Sequence, residues 1–149
     1  MDRLRTKRVL VVDDDCEARE LLRIKLADAP WATDFARHGH EALRMYEAAS
    51  SSGRPYDLIV LDVSMPEMSG FKVLEDIRAA GDRTTHAVLN TAYSPEPMLN
   101  VRANMLRADD IWFKPESIVR AKELILQQLV LVDKDRPLPV AAYPSDDKE

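Results

Sequence analysis

Asp57-Leu58-Ile59-Val60-Leu61-Asp62-Val63-Ser64-Met65-Pro66 is the stretch that decides the fold of this chain. Leu58 to Leu61 is a short, unbroken apolar run rich in branched side chains, the pattern of a central parallel strand covered on both faces. The run ends in a carboxylate, Asp62, with a proline four residues later. A charge cannot lie cheaply inside such a strand, but it can sit where the strand emerges into a crevice. Three other apolar runs end in polar chemistry. Val9–Val12 leads into Asp13-Asp14-Asp15, Ala87–Asn90 into Thr91-Ala92, and Ile111–Phe113 into Lys114-Pro115. In an open parallel sheet all carboxyl ends point one way, so these groups are expected to converge.

Between the runs, strand and helix alternate. Strands are expected at Arg8–Val12, Ala32–Ala36 (the weakest), Leu58–Leu61, Ala87–Asn90 and Ile111–Phe113. Helices are expected at Cys16–Ala27 (Ala18, Leu21, Leu22 and Leu26 at helical spacing), His40–Ala49, Phe71–Ala79, Pro97–Arg107 and Ser117–Val132. Met1 to Lys7 is basic and is read as passing directly into the first strand. His38, His40 and His86 read as loop or helix-start residues. Five β-α units without a hairpin signal predict an α/β fold. Its sheet is doubly wound, five-stranded and parallel, with flavodoxin-like order 2-1-3-4-5 and helices on both faces. No Gly-x-Gly-x-x-Gly loop is present, which removes the usual nucleotide-binding reading of such a sheet.

Composition sets bounds. The 149 residues suit one domain, over 1–132, followed by a proline-containing acidic tail, 133–149, expected to be flexible. A net charge of −5 argues against direct nucleic-acid binding, which rests on clustered cations. No apolar run is long enough to span a membrane and no signal-peptide pattern opens the chain, so a cytoplasmic location is expected. The single cysteine, Cys16, fits a reducing compartment and is read as an ordinary helix residue.

Val11-Val12-Asp13-Asp14, then Leu61-Asp62-Val63-Ser64-Met65-Pro66 with Gly70, then Thr91-Ala92, then Lys114-Pro115, stand in this order at characteristic separations. With these motifs the chain resembles the receiver domain of two-component response regulators from Arg8 to about Val130. The resemblance implies that Asp62 is the phosphoacceptor for a histidine kinase or histidine phosphotransfer protein. It also implies that Asp13, Asp14, Asp62 and the Ser64 backbone carbonyl bind Mg²⁺, and that Thr91 and Lys114 contact the phosphoryl oxygens. At most it implies Mg²⁺-dependent self-phosphorylation and self-dephosphorylation, not conventional enzyme activity. The family often holds the Lys-Pro bond cis.

The residues give this chemistry a physical reason. A carboxylate and an anionic phosphoryl group repel, and a hard divalent cation held by clustered Asp side chains neutralises that charge. Asp15 is the natural cap of the first helix.

Three departures from the family pattern stand out. Ile111 occupies the place of the usual aromatic switch residue, and strand alternation puts Ile111 and Phe113 on one face and Trp112 on the other. Arg107 stands where a glycine usually ends the fourth helix. Tyr93, two residues after Thr91, is bulky enough to hinder attacking water, which would give a phosphoryl lifetime of minutes or longer.

In the last helix, Ile118, Ala121, Ile125 and Leu129 form one stripe, while Leu124, Leu126, Val130, Leu131 and Val132 spread beyond it. That width suggests a partner or a homodimer through the fourth helix, fifth strand and fifth helix. The leading reading is a stand-alone receiver that signals through this face. Its alternative is a receiver-like interaction module that takes no phosphate. An aspartate-nucleophile phosphatase would need a second acid two residues after Asp62, where Ser64 stands.

Overall fold

The computed structural model describes residues 2–92 and 98–135. Five strands form one parallel sheet, β1 (Arg8–Val12), β2 (Ala32–Ala36), β3 (Leu58–Asp62), β4 (His86–Ala92) and β5 (Asp110–Lys114), in the order β2-β1-β3-β4-β5. Leu58 to Leu61 are all within 3% of complete burial, which is why β3 takes the central position. The edge strands β2 and β5 are only partly buried, which explains the weak apolar pattern of Ala32–Ala36.

The helices are α1 (Asp2–Arg5), α2 (Cys16–Lys25), α3 (Gly39–Ser51), α4 (Gly70–Ala79), α5 (Met98–Met105), α6 (Glu116–Val119) and α7 (Ala121–Asp135). Strand alternation divides the core in two. Leu10, Val12, Ile59, Leu61 and Leu89 meet Tyr46 of α3, Phe71, Leu74 and Ile77 of α4, and Leu99 of α5. Val9, Val11, Leu58, Val60, Val88 and Trp112 meet Leu22 of α2 and Ala121, Ile125 and Leu129 of α7. Ile111 packs on the first side and Trp112 on the second, as alternation requires. Among the described residues, no helix is long and apolar enough to cross a membrane.

Several expectations need correction. The amino terminus does not run straight into β1: Asp2–Arg5 makes a helical turn that brings Leu4 against the α2/α7 side of the core. Lys7 pairs with Asp133 at 2.7 Å, joining that segment to the far end of α7. The last helix is not continuous from Ser117 to Val132. It breaks at Arg120 and then runs on to Asp135, so helix continues into the segment read as tail. The remainder of that tail, 136–149, lies outside the described residues, as do Tyr93 and Pro97. Leu21 is half exposed despite its helical spacing, whereas Val132 is fully buried and belongs to the packed face of α7. His86 is neither loop nor helix start. It opens β4, buried, with Nδ1 2.8 Å from Gln128 Nε2 of α7. His38 is the N-cap of α3, its Nδ1 accepting from the Glu41 amide. Cys16 is an exposed free thiol at the start of α2.

Arg107 ends the α5 segment in the left-handed region, at φ 60°, where glycine is the usual occupant. Its carbonyl accepts from Arg78 Nη2 at 2.9 Å, so the turn is anchored from α4. A side chain at positive φ costs roughly 1 kcal/mol, and glycine removes that cost while losing some chain entropy. Arg107→Gly is therefore expected to raise Tm by about 2 °C in a thermal melt. A drop in Tm would contradict this account of the turn.

Candidate functional site

Each polar group read from a strand end arrives at one edge because the parallel register brings it there. Val12 of β1 lies beside Leu61 of β3, Asp62 beside Asn90 of β4, and Ala92 beside Lys114 of β5. Carboxylate oxygens of Asp13, Asp14 and Asp62 lie within 4.8 Å of one another. Asp13 and Asp62 are buried and Asp14 is exposed, so the cluster opens to solvent on one side. The Lys114 ammonium stands 2.7 Å from Asp13 Oδ2 and 3.5 Å from Asp62 Oδ2. The Lys114–Pro115 bond is cis.

Local bonds hold the acids in place. The Asp15 amide donates to Asp13 Oδ1 at 2.9 Å, and the Ser64 amide donates to Asp62 Oδ1 at 3.3 Å. Asp15 caps α2 by accepting from the Glu17 amide, as its position in the Asp triplet suggests. Behind Asp62 the chain folds back tightly: Gly70 donates to the Val63 carbonyl, and a Cβ on Gly70 would sit 2.3 Å from the Asp62 carbonyl oxygen. Only glycine allows α4 to start so close to the end of β3.

The electrostatics follow from burial and crowding. Loss of solvent pushes the Asp62 carboxyl up to about 7; Lys114 pulls the other way, and Asp13 and Asp14 add to the rise. Burial works against the Lys114 ammonium, but Asp13 and Asp62 outweigh it and hold it above the ordinary lysine range. Asp13 Oδ2 is buried without an aligned hydrogen bond; its close neighbour is that ammonium. Hard carboxylate oxygens crowded together, with a single ammonium between them, fit a small divalent cation.

Thr91 is buried at the end of β4, its hydroxyl donating to the Ala92 carbonyl at 3.3 Å. Tyr93 lies outside the described residues, so its expected effect on lifetime has no structural counterpart.

Sequence reading passed over other groups near this edge. An open cleft of about 270 Å³ is lined by Asp14, Arg37, His38, Pro66 and Glu67. Arg37 and His38 carry no motif of their own, and only the neighbouring weak strand could have pointed to them. Asn90 and Ser117 are both buried and share a side-chain hydrogen bond of 2.6 Å. A polar residue inside the apolar run before Thr91 was the available signal.

Comparison with known proteins agrees with this geometry. The family model described as "response regulator receiver domain" matches residues 9–126. The chain is 36% identical over 131 residues to the response regulator MprA of Mycobacterium avium, covering 87% of this chain and 53% of that protein. The chain thus spans about half the length of the curated relatives it matches. A CheY-like receiver domain protein from Methanospirillum hungatei superposes with a TM-score of 0.75 at 23% identity, over 87% of this chain and 98% of that one, a likeness of fold. The response regulator TrrA of Thermotoga maritima, solved in complex with Mg²⁺–BeF, gives 0.67 at 33% identity, over 83% and 98%. Fold, motif order and these likenesses agree, and the chain belongs to the response regulator receiver domain family.

Proposed function

We propose that this receiver accepts a phosphoryl group on Asp62, with Asp13, Asp14, Asp62 and the Ser64 backbone carbonyl as the Mg²⁺ ligands. Receiver domains interact with histidine kinases or phosphotransfer proteins, and a phosphohistidine on one of these is the proposed donor. The observation that carries the reading is the Lys114 ammonium bridging Asp13 and Asp62 within a cluster of three carboxylates. An interaction module that took no phosphate would have no use for buried acids at this edge, where they cost folding free energy.

In the proposed step an Asp62 carboxylate oxygen forms a bond to phosphorus as the P–N bond of the phosphohistidine breaks. The imidazole leaves with the bonding electrons and takes up a proton. Bound Mg²⁺ would neutralise negative charge on the carboxylates and the incoming phosphoryl group. Lys114, already between two acids, can turn from Asp62 to a phosphoryl oxygen without crossing the pocket. Thr91 supplies a rotatable hydroxyl whose present bond, to its neighbour's carbonyl, is long and easily exchanged. The added charge of about −1.5 to −2 can draw that hydroxyl and the end of β4 inward.

The proposed output surface is the face of α5, β5 and α7. Met98, Val101 and Met105 of α5, Phe113 of β5, and Leu126, Val130 and Leu131 of α7 are exposed apolar side chains. Homodimerisation through this face is part of the proposal. The proposal concerns the receiver itself and holds with or without an attached output segment, the matched relatives being about twice as long as the match.

Three outcomes are expected. With acetyl phosphate and Mg²⁺, intact-mass analysis should find one added phosphoryl group on the wild type and none on Asp62→Ala; equal labelling of both would remove Asp62 from the role. Light scattering should show a monomer that becomes a dimer on adding beryllofluoride and Mg²⁺, and a monomer in both states at high concentration would refute the dimer.

The third concerns pH. Because folding raises the Asp62 value from the ordinary carboxylate range to about 7, the metal-free folded state binds a proton the unfolded chain lacks between about pH 4 and pH 7. This group therefore adds stability as pH falls through that window, and its charge destabilises the fold above it. Metal-free Asp62→Asn should melt a few degrees higher than wild type at pH 8, with the gap closing by pH 5. A gap of opposite sign, or one independent of pH, would contradict the assignment.

A further inference from the structure

Asn90 is a polar residue in a buried strand, 4% exposed, between Asp62 of β3 and Trp112 of β5 in the sheet register. Ser117, 3% exposed, lies three residues beyond Lys114. Its Oγ donates to Asn90 Oδ1 at 2.6 Å. Ser117 lies inside the first turn of α6, whose N-cap is Pro115, and its hydroxyl reaches across to β4. The backbone oxygen of Asn90 also accepts from the Val63 amide at 3.2 Å. One residue is thus bonded to both working loops, the one leaving Asp62 and the one leaving Lys114.

That second tether matters because β5 is an edge strand, paired only to β4. Beyond Lys114 the sheet no longer holds the chain, and the lysine reaches Asp13 and Asp62 on a flexible four-carbon stem. Where its ammonium comes to rest depends on where the turn is fixed.

We propose that Asn90 and Ser117 are a positioning pair for phosphoryl transfer, fixing the Lys114 turn against the Asp62 loop. The kinetic half of this proposal rests on Asp62 being the phosphoacceptor; the geometric half does not. The contrary possibility is a buried polar pair that serves stability alone.

The test uses Ser117→Ala, Ser117→Thr, Lys114→Ala and the Ser117→Ala/Lys114→Ala double variant. In metal-free, unphosphorylated protein, acetylation of Lys114 by acetic anhydride is followed by mass spectrometry against the other lysines. Ser117→Ala should acetylate Lys114 about threefold faster and slow phosphorylation from acetyl phosphate on the order of tenfold, since small misplacements of a charged group weigh heavily on transfer. Ser117→Thr should restore both, and the double variant should be no slower than Lys114→Ala. Unchanged Lys114 acetylation, or a Ser117→Ala loss that persists in full without Lys114, would overturn the proposal. Should Ser117→Ala fail to fold, Ser117→Cys keeps the volume with a far weaker donor and gives the same reading. Wild-type protein that takes no phosphate would remove the Asp62 reading, and the acetylation result would still decide whether the pair positions Lys114.

Discussion

A single ammonium between buried acids is the constraint around which this molecule is arranged. Asp13 and Asp62 lie at the carboxyl ends of adjacent central strands, out of bulk water and close enough to repel. Such a pair is costly to fold unless a cation accompanies it. Lys114 provides that cation from the edge strand, two positions away across the sheet from Asp62. The compensation is incomplete, as the elevated Asp62 carboxyl records. An incompletely neutralised acid pocket is unfavourable in the resting fold and attractive to a divalent cation.

The rest of the fold keeps that arrangement from relaxing. β1 and β3 are covered on both faces, so the acids cannot retreat by tilting their strands without opening one of the two cores. Gly70 lets α4 press against the Asp62 carbonyl, and the Asp15 and Ser64 amides fix one oxygen of each buried acid. The free oxygens, one on Asp13 and one on Asp62, both face Lys114. The opposite edge of the sheet has its own closure. Arg78 bonds to the carbonyls of Asp82, Thr85 and Arg107 and pairs with Asp109, tying the loops before β4 and β5 together.

Much of this was legible from residues alone, for reasons that vary along the chain. Central strands announce themselves because burial on both faces demands uninterrupted apolar runs, and Leu58–Leu61 is such a run. The acids and Lys114 were found because parallel topology converts "end of a strand" into "same edge of the molecule". What escaped was of two kinds. The turn at Asp2–Arg5 and the break at Arg120 are local geometries that no periodicity encodes, and Leu21 has the spacing of a core residue but faces outward. Asn90, Ser117, His86 and Gln128 are polar residues whose burial depends on a partner 27 or 42 positions away, a pairing that neither sequence neighbourhood discloses. Arg107 stands where a glycine usually ends this helix, and it adopts the left-handed conformation all the same, its carbonyl held by Arg78.

The most direct test is a crystal structure of this chain with Mg²⁺ and beryllofluoride. Beryllium is expected on an Asp62 carboxylate oxygen, the cation on Asp13 and Asp14, and the Lys114 ammonium paired with a fluoride. An unmodified Asp62, or a Lys114 that has left the pocket, would contradict it.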